Sequence, residues 1–416
     1  MQLPTIDCKS STIEELKKAF YTHQPISGIE QRVSHYGPHK DELLPMFLVA
    51  ETEEGKRLFP GIENTGLGYI GATLLRKHKF FGEEGFFKAL KKGYLLLGIG
   101  GGPFDEHTNR DEHQSCVNLV VNHLDLFKDP YNRKVYGSLI MYVNFEDQNG
   151  DNLIQILNKA NPEHRLTTPE TESLRLLQTG CSAQNLKRGF EATTNPTEYG
   201  QVIAGEFQFF KNHIRQTKLF VKGESEYEKI EKKLTPITVN SQSMNLLEIH
   251  SDHPGIHKNV FQKWPATKKE KLGVLFLRKS NGQFVLIPHR NFDPLKMAEV
   301  VKIIRQKIAY ARNMDPIKFI DLGSEEILDE IPEIHFAKAT GVISNGANVD
   351  PDVPGLIGKD LSTEDIMDAV IIGLEETIFP RQFSNQCTTG MCARNRCGFY
   401  HYGLFRCHKI REKIIA

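Results

Sequence analysis

Between residues 29 and 225, short apolar runs bounded by polar loops alternate with stretches whose apolar residues recur at helical spacing. IEQRVSHY reads as a strand running into a polar loop. DELLPMFLVAET reads as a helix with its acidic residues in the first turn, where the helix dipole favours them, and with Pro45 early enough to be tolerated. GYLLLGIGGGPF is an apolar run closed by glycines, the pattern of a buried strand that ends in a tight turn. SCVNLVVNHLDLF follows at helical spacing. VYGSLIMYVNFEDQNGDN is apolar and β-branched as far as Phe145 and then polar, which predicts another strand with Asp147 just beyond it. Alternation of this type predicts an α/β fold around a parallel sheet, in which ligands bind beyond the carboxyl ends of the strands.

The pattern changes further on. FVKGESEYEKIEKKL predicts a charged helix and a hinge, and a second, smaller α/β unit begins near Leu246. KLGVLFLRKSNGQFVLIP predicts a hairpin around a Ser-Asn-Gly turn. DPLKMAEVVKIIRQKIAYARN predicts an amphipathic helix with Met297, Val300, Val301, Ile304 and Ile308 on one side. FAKATGVISNG predicts a strand and a turn. STEDIMDAVIIGLEETI predicts a helix capped by Ser362, with Asp365 three residues on. The expected divisions are an N-terminal helix (1–28), a first α/β domain (29–225), a second (246–378) and a short Cys-rich tail (380–416).

The totals narrow the function classes. A chain of 416 residues is long enough for two cores. With 52 basic and 52 acidic residues it has no global field to attract nucleic acid or an anionic membrane, so any polyanion site must be local. No segment approaches the roughly 18 consecutive apolar residues of a membrane span. The start, MQLPTIDCKSSTIEELKKAF, lacks the apolar core of a secretory signal, which predicts a cytoplasmic protein.

Three polar segments follow apolar runs: HYGPHKDE, GIGGGPFDEHTNRDEH and FEDQNGD. Imidazoles and carboxylates together suit borderline divalent ions such as Mn²⁺, Fe²⁺ or Zn²⁺. Two such ions about 3.5–4 Å apart grip an in-line phosphoryl displacement. Gly100, Gly101 and Gly102 would let backbone amides approach a phosphate on the substrate. The alternative is a set of solvated or salt-bridged loops.

These residues carry a likeness. HYGPHKDE resembles the His-x-Gly-x-x-His-x-Asp-Glu signature of the DHH phosphoesterase superfamily, nearest the branch typified by the melanocyte-proliferating-gene exonucleases. GIGGGPFDEH resembles that branch's glycine-pair and Asp-His-His segment, and Asp147 resembles its last metal-binding aspartate. The likeness covers about residues 30 to 150. It implies a parallel-sheet domain holding Mn²⁺, a second α/β domain for substrate, and hydrolysis of a phosphodiester in a short oligonucleotide or related nucleotide. His35, His39, Asp41, Asp105, His107 and Asp147 would be ligands, with Asp111 and His113 as a competing match to the Asp-His-His pair. His107 or His113 would orient substrate or carry a proton. The chain departs from the pattern in three places. The two histidines of the first motif are one residue closer, Glu106 replaces the middle histidine, and Gly98 stands where a metal-binding aspartate is usual. Those departures keep open an alternative: a metal-poor relative that binds nucleic acid or a protein partner without hydrolysing it.

Three further groups could bind ligands. HSDHPGIH, with His250, Asp252, His253 and His257, is either a metal site or an inter-domain connection with its side chains in water. His289 and Arg290, after the hairpin, would meet a substrate phosphate through charge-assisted hydrogen bonds, or simply end a strand. The tail reads C-x4-C-x4-C-x3-H through Cys387, Cys392, Cys397 and His401, with Cys407 and His408 in reserve. That set predicts structural Zn²⁺, or alternatively an iron–sulfur cluster. Its arginines and lysines interleave with Phe399, Tyr400, Tyr402 and Phe405, which suits contact with single-stranded RNA. Its alternative is a capping tail with reduced cysteines.

Overall fold

The structure is a computed structural model that describes residues 4–108, 114–149, 183–239, 242–264, 271–289, 296–315, 325–346 and 353–374. Chain contacts divide it into two compact units, Met1–Val221 and Lys222–Ala416. No helix among the described residues is long and apolar enough to cross a membrane.

The first unit opens with a two-residue parallel pair, β1 (Ile6–Asp7) and β2 (Ile26–Ser27), around helix α1 (Ile13–Tyr21). Thr12 and Glu15 close a capping box at the start of α1, and Leu16, Ala19 and Phe20 bury its inner face in the core shared by the rest of the unit. Next come β3 (Gln31–Ser34), α2 (Lys40–Glu51), α3 (Glu53–Leu58), β4 (Gly66–Tyr69), α4 (Ala72–His78), α5 (Gly82–Lys91) and β5 (Tyr94–Leu96). The strands form a parallel sheet in the order β4-β3-β5, with Val33 opposite Gly68 and Leu96. Helix α2 is the centre of this unit. Residues Lys40 to Ala50 are all buried, so the helix is enclosed on every side instead of presenting one apolar stripe. Each fully buried Leu, Met or Phe on it contributes about 1.5–3 kcal/mol, and that gain offsets the cost of carrying Lys40, Asp41 and Glu42 inside.

Helices α6 (Cys116–His123), α7 (Pro130–Asn149), α8 (Ala183–Glu191) and α9 (Pro196–Lys229) complete the unit; the division between units falls within α9. The strand expected up to Phe145 is therefore part of a helix. Its buried residues, Val135, Tyr136, Leu139, Ile140, Tyr142 and Val143, recur at helical spacing, and that period outweighs the β-branched composition.

The second unit holds a mixed sheet of six strands: β6 (Lys233–Val239), β7 (Gln242–His250), β8 (Leu272–Arg278), β9 (Phe284–Pro288), β10 (Ile334–Ala337) and β11 (Val342–Asn345). Their order is β10-β11-β9-β8-β7-β6. All pairs are antiparallel except β7 with β8, between which lies helix α10 (Ile256–Lys263). The β8–β9 hairpin is as the sequence predicts. FAKATGVISNG makes two paired strands where a strand and a turn are expected. Helices α11 (Met297–Ala311) and α12 (Thr363–Leu374) cover the sheet; Met297, Val300, Val301, Ile304 and Ile308 are all buried, and the Ser362–Asp365 cap is formed in both directions.

Candidate metal centre

Three parts of the first unit bring polar side chains together. β3 ends at Ser34, so His35 is the first residue beyond its carboxyl end, and His39 caps α2. β5 ends at Leu96, and the glycine-rich turn after it leads to Asp105, Glu106 and His107. The last turn of α7 supplies Glu146 and Asp147.

The ligand atoms form four overlapping sets, each with all its members within 4.8 Å of one another: His39, Asp41 and Asp147; Asp41, Glu42 and Glu106; His35, His39 and Glu42; and Asp105, Glu106 and His107. Ions with bonds of about 2.1 Å span such spacings after small side-chain shifts. Asp41 and Glu42 recur in different sets, so adjoining positions would share a carboxylate.

Glu42 organises this corner. Its Oε1 lies 2.9 Å from His35 Nε2, and its Oε2 accepts from the backbone N–H of His39. Its side chain also lies over Gly98, which has φ +66°; a Cβ there would come within 2.2 Å of Glu42 Cγ. A side chain at 98 and Glu42 in this pose exclude one another.

Asp41 is the anomaly. It is 2% exposed, and among the described residues its carboxylate oxygens meet no hydrogen-bond donor other than the neighbouring carboxyl of Glu42. Burial, together with the charges of Glu42, Asp147 and Glu106, raises its pKa well above the ordinary carboxylate range. Burial and Glu42 raise Asp147, and burial pushes Glu106 up to about 7. The hydrogen bond to Glu42 holds His35 at about 9. A single carboxylate left dry and undonated is costly; several facing one another are costlier still. Negative groups arranged in this way fit a divalent cation, and the mixed carboxylate–imidazole donor set suits Mn²⁺, Fe²⁺ or Zn²⁺.

Beside the cluster lies a cavity of about 710 Å³, whose lining includes His39, Lys40, Asp41, Glu146 and Asp147 on its polar side. Lys40, 3% exposed, pairs with Glu146 at 3.6 Å.

Of the residues singled out in the sequence, His35, His39, Asp41, Asp105, His107 and Asp147 all fall in these sets, Asp147 on a helix instead of after a strand. Asp105 is engaged within its own loop: Oδ2 accepts from Gly101 N at 2.6 Å, and Oδ1 faces His107 Nδ1 at 2.9 Å and accepts from His107 N. Glu106, the apparent loss in the motif, is the member of that loop that meets Asp41 and Glu42. The glycines have structural duties. The Gly101 amide serves Asp105, a Cβ at Gly100 would meet the Phe80 carbonyl oxygen at 2.8 Å, and one at Gly102 would meet Phe86 at 2.7 Å. His289 ends β9 in the second unit, where its N–H donates to Gly273 O and its ring lies 5.9 Å from Phe261. HSDHPGIH runs from the end of β7 into α10 and is part of the second unit, not a connection between domains. Asp111, His113, Arg290 and the tail residues Cys387, Cys392, Cys397, His401 and Cys407 lie outside the described residues.

Sequence reasoning counted Glu42 among the carboxylates of the first loop without making it a ligand, read Glu106 only as a departure from the motif, and missed Lys40 and Glu146. Glu42 and Lys40 had a signal: they stand in the first turn of a helix that is otherwise apolar, where buried charge demands a partner.

No family model matches the chain, and no curated protein matches it. The phosphoesterase likeness rests on the motifs alone.

Proposed function

We propose that the first unit binds a divalent cation, best Mn²⁺, and hydrolyses a phosphodiester such as that of a short oligonucleotide. The observation that carries this reading is Asp41, buried among the described residues with no donor other than a neighbouring carboxyl, in a carboxylate–imidazole cluster that adjoins a cavity. Asp41, Asp147 and His39 would hold the cation, with Glu42 and Glu106 within reach of a second position. Bound there, the cation supplies Lewis-acid activation of a phosphoryl group and of water. Glu42 fixes the first-motif imidazoles by gripping His35 and the His39 backbone. His107, whose Nδ1 is turned to Asp105, keeps Nε2 for a proton transfer to the leaving oxygen. Lys40 places a positive charge on the same cavity wall, suited to a phosphoryl oxygen.

The test is release of mononucleotide from a labelled short RNA by the full chain, with Mn²⁺ and with chelator. The reading predicts Mn²⁺-dependent release that falls at least about 100-fold in Asp41→Asn. Release that is indifferent to chelator, or unchanged in Asp41→Asn, contradicts it.

A further inference from the structure

The cavity beside the cation cluster is also lined by side chains that the proposed chemistry leaves unused: the apolar Tyr36, Val143, Leu186 and Phe190, with Lys187 and Glu191. Tyr36 sits in the first motif itself, between His35 and His39, yet it is 73% exposed. A large exposed aromatic ring on a loop that also supplies cation ligands calls for an explanation. It is not loosely held. Its ring stacks on Tyr199, with centroids 4.9 Å apart and planes 25° apart. Tyr199 is buried, stacks on Phe190 at 4.6 Å and meets Tyr69 edge-on at 4.9 Å. The Tyr199 hydroxyl accepts from Gly37 N at 2.6 Å, which ties the stack to the backbone beside Tyr36. One side of Tyr36 is thus supported by a stack of fixed rings while most of its surface remains in water. That is the construction of a preorganised platform, in which little rotamer freedom remains to be lost on binding.

We infer that Tyr36 is the stacking surface for a planar heteroaromatic ring carried by the substrate next to its phosphoryl group. The inference rests on the cation reading proposed above and assigns the residue that would recognise the ring of the substrate proposed there. The lining joins the two recognition elements. Carboxylates, His39 and Lys40 line the same cavity as the rings of Tyr36 and Phe190, and its volume is that of a site for a single small molecule. A ligand anchored by phosphate at the cluster therefore carries its neighbouring group to the aromatic wall. A flat π-system gains most from such a wall, because stacking needs a face and no particular hydrogen-bond pattern. A sugar phosphate without a ring would keep only the polar half of the site.

The experiment compares adenosine 5′-monophosphate with ribose 5-phosphate by calorimetric titration of the full chain in Mn²⁺. The two ligands share the phosphate and differ in the ring. The wild type should bind the nucleotide about tenfold more tightly or better, which is the scale of one base stacked on one aromatic side chain. Tyr36→Phe should keep that ratio, and Tyr36→Ala should bring it to within about threefold while ribose 5-phosphate binds as before. Unchanged ribose 5-phosphate binding also reports that Tyr36→Ala is folded. If the wild type binds both ligands equally, or Tyr36→Ala keeps the preference, the ring inference is overturned and the cation reading stands. If neither ligand binds the wild type and Mn²⁺ is not taken up, both fall together.

Discussion

Two histidine-rich segments, HYGPHKDE in the first unit and HSDHPGIH in the second, are nearly interchangeable as strings of residues. Their surroundings differ. In the first, Asp41 and Glu42 are 2% and 1% exposed, and among the described residues the Asp41 carboxylate meets no donor other than the Glu42 carboxyl. In the second, Asp252 is exposed and its Oδ1 accepts from Ser280 N at 2.9 Å; His253 Nδ1 accepts from Gly255 N, and Ser251 bonds both His253 N and Glu226. Among the described residues, the buried side-chain atom without a hydrogen bond in this segment is His253 Nε2, a ring nitrogen in place of a carboxylate oxygen. Among the described residues, no set of three ligand atoms forms in the second segment. Spacing alone does not make a cation site. The first segment differs in burying charge beyond what the donors among the described residues satisfy, a deficit that a cation would remove.

The largest expected contrast is in Mn²⁺ affinity, followed by electron paramagnetic resonance of the free ion. His39→Ala or Asp147→Asn should weaken binding about 10- to 100-fold, and the matching changes His253→Ala and Asp252→Asn should leave it unchanged. Equal effects at the two segments would erase the distinction.

Gly98→Ala comes next. It forces a side chain into a left-handed backbone and into Glu42, so it should loosen Glu42 from His35 and His39 and lower Mn²⁺ affinity about tenfold. Gly358→Ala in the second unit is the control, with φ +86° and no neighbour within 4 Å. It should show only the backbone strain of about 1–2 kcal/mol in urea unfolding, with Mn²⁺ affinity intact.

The first unit should also carry a distinct acid response. His123 is stacked on Phe20 at 4.0 Å, and burial lowers its pKa from 6.5 to about 3. The unfolded chain takes up a proton there below pH 6.5, while the folded chain stays neutral down to about 3. This contribution is complete above pH 6.5 and is lost as pH falls through that window, at about 1.4 kcal/mol per pH unit. His123→Phe should flatten that part of the stability profile measured by urea unfolding between pH 7 and pH 4. Parallel profiles for the two proteins would contradict the assignment. Smallest of all, Asp252→Asn keeps an acceptor for Ser280 and should change stability by no more than about 0.5 kcal/mol.

Much of this fold is legible in the chain, and the exceptions have physical reasons. The buried α2, the β8–β9 hairpin, the amphipathic α11 and the Ser362–Asp365 cap all follow from local pattern. Helix α7 is misread because its density of β-branched residues obscures a helical period that Val135, Leu139, Ile140 and Val143 keep. In the site, His35, His39 and Asp41 stand out by type and spacing. Glu106 reads as a substitution that weakens a motif, and only the turn of its loop shows it facing Asp41. The pairing of Lys40 with Glu146 joins two helices about a hundred residues apart in sequence, and no local rule predicts it.

The central claim is that Asp41 is held in an unfavourable place for the sake of a cation, and unfolding free energy with and without Mn²⁺ tests it most directly. In Asp41→Asn the amide N–H groups can donate to Glu42 and Glu106, so the metal-free variant should be more stable than the metal-free wild type by about 1–3 kcal/mol. Saturating Mn²⁺ should stabilise only the wild type, by about 2.7 kcal/mol at a hundredfold excess over Kd. A variant that is less stable than the wild type without metal, and that gains as much from Mn²⁺, would contradict the account.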